Sequence, residues 1–324
     1  TSGRSVTSEL LVAGAANLDR MMYVERIPEQ GETIMALNYE EHPGGKGANQ
    51  AVAAALWGMK VNFIGRTGDD EPGKILKNSL ENAGVNTKYL LQGLTPSGIA
   101  LDFIDPEGNY QAAVLAGANS DLDSADLPED SIFWESIGLT VMQLECPHSF
   151  TEALGLKSKK QGIPVLLNAA PAVPIPNSWW DWIEILVVNE VEAFGLSGIK
   201  INHIKDSFAC LEILQQRCRK TVITLGENGL VYGTGSVVKH IAAHPVKAVS
   251  TLGAGDAFVG VMAAELCKGN DLAKSTFMAS LAAAASVTSS GAQTSYLTPH
   301  QLKNHPALGE PYMSALKSTS NSPS

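Results

Sequence analysis

Two glycine-bearing stretches carry side chains that could do chemistry. In "AVSTLGAGDAFVGVMAAEL" (248–266), Asp256 follows Gly253, Ala254 and Gly255 and precedes apolar residues recurring every three or four positions. This spacing predicts a helix that opens near Gly255 or Asp256, with Asp256 capping its start. Asp fills that role in many helices that bind nothing. Successive backbone N–H groups leading into a helix can also form a nest at the positive end of the helix dipole, where phosphoryl oxygens could rest. A carboxylate beside such a nest can take the proton of an attacking hydroxyl, the part an aspartate plays in enzymatic phosphoryl transfer.

The second stretch is "PGGKGANQA" (43–51), with Gly44, Gly45 and Gly47 around Lys46. Its glycines permit close backbone approach, and Asn49 is expected to begin a helix whose N-terminus attracts electron-rich groups. The spacing is not the GxxxxGK[ST] of a phosphate-cradling loop, and "GAANLD" is not the GxGxxG of a dinucleotide fold. A plain helix-entry loop stays open as a reading of this stretch.

The elements that must position these residues alternate. "ELLVAG", "KVNFIGRTG", "IGLTVMQLE", "IPVLLNAA", "WIEILVVN" and "KTVITLG" read as short, nearly continuous apolar strands, with helical patterns between most of them. That rhythm predicts an α/β fold with a parallel sheet covered on both faces. Residues 18–43 and 95–115 break it and read as hairpins, the second turning at "DPEGN", so a small β lid is expected to project from one domain spanning 9–315. Tails 1–8 and 316–324 are expected to be disordered, the latter polar and Ser-rich.

In open parallel sheets ligands bind beyond the carboxyl ends of the strands. Polar residues stand there throughout: Asn17 and Asp19, then Glu145, then Asn189, Glu190 and Glu192, then Thr224 to Gly226. "KAV" reads as a short strand that brings Asp256 into the same set. Singly, each is an ordinary cap or turn residue; jointly they point to a site.

Bulk composition narrows the classes. With 324 residues and 44% hydrophobic content the chain can bury a large core. Thirty-three acidic against 23 basic residues give a net charge of −10 without any basic run, which excludes an electrostatic footprint for nucleic acid or an anionic membrane. Four cysteines without a CxxC pair fit structural thiols in a reducing compartment. "TSGRSVTS" lacks the apolar stretch of a signal peptide, and no run approaches the roughly 20 apolar residues of a membrane span. A soluble, cytoplasmic protein is expected, with nuclear or organellar presence left open.

"GGKGANQA" and "GAGDAF" together resemble the N- and C-terminal signatures of the ribokinase (PfkB) family of carbohydrate kinases. Between them "AGANSDL", "MQLE", "LNAAPA", "VVNEVEA" and "TLGENG", and after them "SGAQTS", are similar in order and spacing to family segments, and the likeness runs from Leu11 to Leu297. It implies a three-layer α/β/α sandwich with a mostly parallel central sheet and a β-sheet lid. It also implies transfer of the γ-phosphate of ATP to the 5-hydroxyl of D-ribose, with Mg²⁺ required. By this resemblance Asp256 is the base, and Gly253, Ala254 and Gly255 form the anion hole. Asn17, Asp19, Gly45, Lys46, Asn49 and Glu145 hold the sugar; Asn189, Thr224, Gly226, Gly229, Gly255 and Ser280 lie at the nucleotide; Glu192 orders Mg²⁺ through water. The lid closes over the sugar and mediates a homodimer. Alternatives are a family kinase for another sugar or a nucleoside, and a non-catalytic sugar-binding regulator.

One departure stands out. Family members commonly carry Asp two residues before the position of Leu252, where it binds a potassium ion together with carbonyls and the loop of Gly291 and Ser295; here that residue is Ser250. A neutral hydroxyl is a weaker ligand for a hard cation than a carboxylate, so reduced potassium dependence is expected.

Overall fold

The computed structural model describes residues 8–107 and 110–318. In chain order its strands and α-helices are β1 (Glu9–Ala13), β2 (Asn17–Val24), β3 (Ala36–Gly44), α1 (Lys46–Leu56), β4 (Val61–Gly68), α2 (Glu71–Asn82), β5 (Asn86–Gly93), β6 (Gly98–Ile104), β7 (Tyr110–Leu115), α3 (Ser131–Ser136), β8 (Ile137–Met142), α4 (His148–Lys160), β9 (Val165–Asn168), β10 (Ile185–Asn189), α5 (Glu190–Ser197), α6 (Ile204–Gln215), β11 (Lys220–Thr224), β12 (Leu230–Thr234), β13 (Val237–Ile241), α7 (Ala254–Cys267), α8 (Leu272–Ser286), α9 (Pro299–Lys303) and α10 (Gly309–Ser318).

The apolar strands pair as expected. With β5, β12 and β13, which the sequence reading did not name, they form a nine-stranded sheet in the order β13-β12-β11-β10-β9-β8-β1-β4-β5. Pairing is parallel from β11 through to β5, and antiparallel only where β12 and β13 extend the edge. Alternate side chains of β1 enter opposite cores. Leu10 and Val12 join the layer that contains α1, α7 and α8, while Leu11 and Ala13 join the layer that contains α4 and Trp179. A strand buried on both faces has no polar face to show, which is why these segments read as unbroken apolar runs.

The two segments that break the rhythm form the lid, a four-stranded sheet in the order β3-β2-β6-β7. Hairpins β2–β3 and β6–β7 are antiparallel and join through a parallel β2–β6 contact. Its register places His42 opposite Asp19 and Glu40 opposite Met21, with Met21 aligned to Asp102 on the other side. Side chains alternate across a sheet, so Asp19, Met21, Glu40, His42 and Asp102 share one face.

Four local expectations are corrected. Helix α1 begins at Lys46, three residues before Asn49, because Gly45 at φ 87 serves as its cap. Helix α7 begins at Ala254 with Gly253 as N-cap, so Asp256 is the third helical residue and not the cap. "KAV" is not a strand; the chain there is held to the end of α8 by Val249 N–H and Ser250 N–H, which both donate to the Val287 carbonyl. The C-terminal tail starts later than residue 316, since α10 continues to Ser318, anchored by the buried Tyr312 ring edge-on to Trp57 at 5.9 Å. Residues 1–7 and 319–324 of the expected tails lie outside the described residues.

Candidate active site

Helices α1 and α7 lie close enough to share side-chain partners. A Cβ on Gly260 would come within 2.5 Å of the Gln50 carbonyl oxygen and 2.7 Å of the Ala53 Cβ, so only hydrogen fits there. This approach carries Asp256, 7% exposed, onto the first turns of α1. Its Oδ2 accepts from Asn49 Nδ2 at 3.0 Å and its Oδ1 accepts from Gln50 Nε2 at 3.0 Å. Gln293 Nε2 in turn donates to Asn49 Oδ1 at 3.0 Å. The carboxylate lines a cleft of about 970 Å³ at the carboxyl ends of the strands, between the large sheet and the lid.

The helix start beside Asp256 has an unusual backbone. Gly253 is left-handed at φ 74, and a Cβ on it would meet the Ala292 Cβ and the Tyr296 hydroxyl, both at 2.7 Å. Tyr296 OH donates to the Gly253 carbonyl at 3.0 Å and fixes that turn. Gly255, by contrast, faces open space, with no neighbour within 4 Å of a Cβ there. Among the three residues expected to offer amides, Ala254 N–H is taken by the Thr251 carbonyl at 3.2 Å. The N–H of Gly255 falls in the first helical turn, where no intrahelical carbonyl is available to it.

Carboxylates dominate the lid-side end. Burial, then the neighbouring charges of Asp102, Glu145 and Asp256, pushes Asp19 up to about 7. Burial also raises Glu145, opposed by the Lys46 ammonium and by Lys46 N–H, which donates to Glu145 Oε2 at 2.9 Å. Burial works against the charge of Lys46, but Asp256, Glu145 and Glu192 outweigh it and hold the ammonium above its usual range. Asn17 is buried, and Asn119 Nδ2 donates to its Oδ1 at 2.8 Å while Asn119 Oδ1 accepts from Ala16 N–H at 3.0 Å, which sets the orientation of both amides.

Asp19 yields a pH prediction. Its folded-state pKa lies above the ordinary carboxylate value, so the folded protein keeps a proton that the unfolded chain releases, and stability falls as pH rises between about 4 and about 7. Asp19→Asn carries no such charge. Its melting temperature relative to the parent is expected to be higher at about pH 8 than at about pH 5, and an equal difference at both would contradict the raised value.

Lys46, Asn189, Glu192, Thr224, Ser250, Leu252, Gly253, Gly255, Asp256 and Gly291 all line the cleft. Asn17, Asp19, Gly45, Asn49 and Glu145 stand behind them, tied in by the bonds and charges above. Gly226 and Gly229 belong to the turn between β11 and β12, beyond the cleft-lining Thr224, and Ser280 Oγ is engaged with His244 Nε2 at 2.9 Å and the Phe277 carbonyl at 2.7 Å. Ser295 is fully buried, its hydroxyl given to the Ala292 carbonyl at 2.7 Å. Ser250 Oγ accepts from Leu252 N–H at 3.3 Å.

Asn189 and Glu192 form a capping box at the start of α5. Asn189 N–H and Nδ2 donate to the Glu192 carboxylate at 2.8 and 3.0 Å, and Glu192 N–H returns to Asn189 Oδ1 at 2.9 Å. Among the described residues no three His, Cys, Asp or Glu side chains gather as a direct metal cage. The donor set fits a cation held mainly by phosphate oxygens and water, with Glu192 as a distant counter-charge.

Sequence reasoning missed Gln50, Gln143, Asn168, Gln293 and the lid residues Glu40, His42 and Asp102. A signal was present for some of them. Gln143 and Asn168 stand at strand ends, Gln50 adjoins Asn49, and the lid residues fall on alternate positions of their strands.

Comparison with known proteins agrees with this arrangement. Residues 7–299 match the family described as pfkB family carbohydrate kinase. The chain is 33% identical over 307 residues to the deoxyribokinase of Salmonella typhi, covering 93% of this chain and 100% of that one. It is equally 33% identical over 295 residues to the ribokinase of Bacillus subtilis (strain 168), covering 91% and 98%. The structure of Arabidopsis thaliana ribokinase complexed with ribose and ATP superposes with a TM-score of 0.83 at 29% identity, covering 96% of this chain and 99% of that one. No helix among the described residues is long and apolar enough to cross a membrane. With the sandwich, the lid and both signature loops converging on one cleft, the chain belongs to the pfkB family of carbohydrate kinases, enzymes that move phosphate from ATP to an alcohol.

Proposed function

We propose that the acceptor is D-ribose and that the γ-phosphoryl group of ATP goes to its 5-hydroxyl. The observation that carries this reading is the Asp256 carboxylate, presented to the cleft beside the open Gly255 amide and backed by the Lys46 loop. The acceptor oxygen forms the new bond to phosphorus as the bond to the β–γ bridging oxygen breaks. Its proton passes to Asp256, and ADP leaves. The amides of Gly253 and Gly255 receive charge developing on the transferred group.

Asn17, Asp19, Gly45, Lys46, Asn49 and Glu145 hold the sugar. Glu40, Asp102, Glu192 and Asp256 all line the cleft, with Lys46 the one lysine among the described residues that line it, which disfavours an acceptor that already bears a phosphate. Half-buried carboxylates each need a donor, so a sugar lacking a hydroxyl leaves one unmatched at roughly 1–3 kcal/mol, and ribose is favoured over deoxyribose. Asn189 and Thr224 line the nucleotide end of the cleft. Mg²⁺ would neutralise phosphate charge when bound, and Glu192, oriented by Asn189, would supply a counter-charge to it through water.

A coupled ADP-release assay across ribose, deoxyribose, fructose, adenosine and pseudouridine tests this reading. Ribose should show the highest kcat/KM, and a higher value for any of the others would overturn it. Potassium belongs in the same assay. With Ser250 in place of a carboxylate, potassium should stimulate turnover less than about twofold, and Ser250→Asp should create a larger, saturable stimulation. Strong potassium activation of the parent would contradict the assignment.

The lid leaves Leu37 at 62% and Leu115 at 57% exposure, which supports a homodimer formed lid to lid. Buried thiols at Cys146, Cys210 and Cys218 support residence in a reducing compartment, the cytoplasm.

A further inference from the structure

The amides around Asp256 have no freedom of orientation. A carboxylate oxygen only accepts, so the 3.0 Å contact to Asp256 Oδ1 turns Nε2 of Gln50 toward it. The Val187 carbonyl also only accepts, so Asn168 gives it Nδ2 at 3.2 Å and turns Oδ1 the other way. That oxygen takes the second N–H of Gln50 at 3.0 Å. The remaining polar atom of Gln50, Oε1, accepts from Gln143 Nε2 at 2.6 Å.

Gln50 is thus held at every polar atom, and Gln50, Gln143, Asn168 and Asp256 are all buried. Gln143 makes its contact although its own Oε1 has no partner among the described residues. Natural cores avoid an uncompensated amide oxygen, so one tolerated on the amide that braces Gln50 calls for a functional reason. Gln50 itself does not line the cleft.

We propose that Gln50 is a positioning residue for phosphoryl transfer: locked by Gln143 and Asn168, it holds Asp256 so that the carboxylate's remaining lone pairs face the acceptor hydroxyl. The proposal rests on Asp256 acting as the base. A fixed carboxylate loses no rotational freedom as the hydroxyl approaches, so the contribution belongs to turnover rather than to sugar binding. The other charged or titratable groups facing Asp256 are Asp19, Lys46, Glu145, Glu192 and the Tyr296 hydroxyl. None of these is a hydrogen-bond partner of Gln50.

The test is Gln50→Leu in the full chain, read by sugar-dependent ADP release. Expected are a fall in kcat of about 10- to 100-fold and a KM for sugar within about twofold of the parent. A folded variant with unchanged kcat overturns the proposal, as does a change confined to KM. Because Gln50→Leu strips partners from two buried amides, Gln143→Leu is measured beside it. That variant keeps the contact to Asp256 but removes its lock, so it should lower kcat by a smaller factor, again with KM little changed. An unchanged kcat in Gln143→Leu overturns the proposal if Gln50→Leu does not fold. Absence of sugar-dependent ADP release in the parent would instead sink the kinase reading.

Discussion

Asp256→Asn is expected to lower kcat by roughly 10²–10⁴ while changing the KM for sugar far less, the loss typical of removing a positioned base. That range corresponds to about 3–5 kcal/mol of transition-state stabilisation. The side chain has two jobs, and the substitution touches both. Both carboxylate oxygens now accept from amide N–H groups, Asn49 at one and Gln50 at the other. An asparagine there offers one accepting oxygen, and its own N–H₂ meets the second donor, so one N–H is left unmatched at a cost of about 1–3 kcal/mol. A modest fall in melting temperature should therefore accompany the kinetic loss. Steady-state kinetics beside a thermal melt separate the two, and near-normal turnover in a folded variant contradicts the assignment of Asp256.

The second large effect comes from glycines two residues apart. Gly253→Val places a branched side chain on a left-handed residue whose Cβ would already sit 2.7 Å from both the Ala292 Cβ and the Tyr296 hydroxyl. Backbone strain and overpacking together should cost roughly 2–4 kcal/mol of stability, and displacement of the turn should cost about 10²-fold in kcat. Gly255→Ala meets nothing within 4 Å and stands inside the first turn of α7. Its melting temperature should be unchanged or slightly higher, since alanine favours helix, while its kcat falls about tenfold or more because the methyl group enters the space meant for phosphoryl oxygens. Melting curves and ADP-release kinetics on both variants check the contrast. A Gly255→Ala enzyme with parental turnover would show that phosphate does not rest there.

Strands β1, β4 and β8 to β11 were legible because they are buried on both faces and read as continuous apolar runs, and the lid because its strands alternate; β5 and β13, largely exposed, gave no such run. Helix starts were less legible. Both α1 and α7 are capped by glycines at positive φ, Gly45 and Gly253, where a sequence reading looks for Ser, Thr, Asn or Asp. Asp256 looked like such a cap and instead lines the cleft as the third helical residue. The sugar-side residues were readable as polar positions after strands; Gln143 and Asn168 stand at strand ends too, but their meeting with Gln50 at Asp256 was not readable. Gln50, Gln143 and Asn168 are separated by 93 and 118 positions in their mutual contacts, and no periodicity signals that they meet.

The central claim is that Asp256 delivers one particular alcohol of a bound pentose to ATP. It is tested most directly by identifying the product of the enzyme with ribose and ATP by phosphorus and carbon NMR. The account predicts a single phosphate ester whose phosphorus couples to C5 of the sugar, formed in step with ADP. A phosphate at another carbon, or ADP formed without any sugar ester, would contradict it.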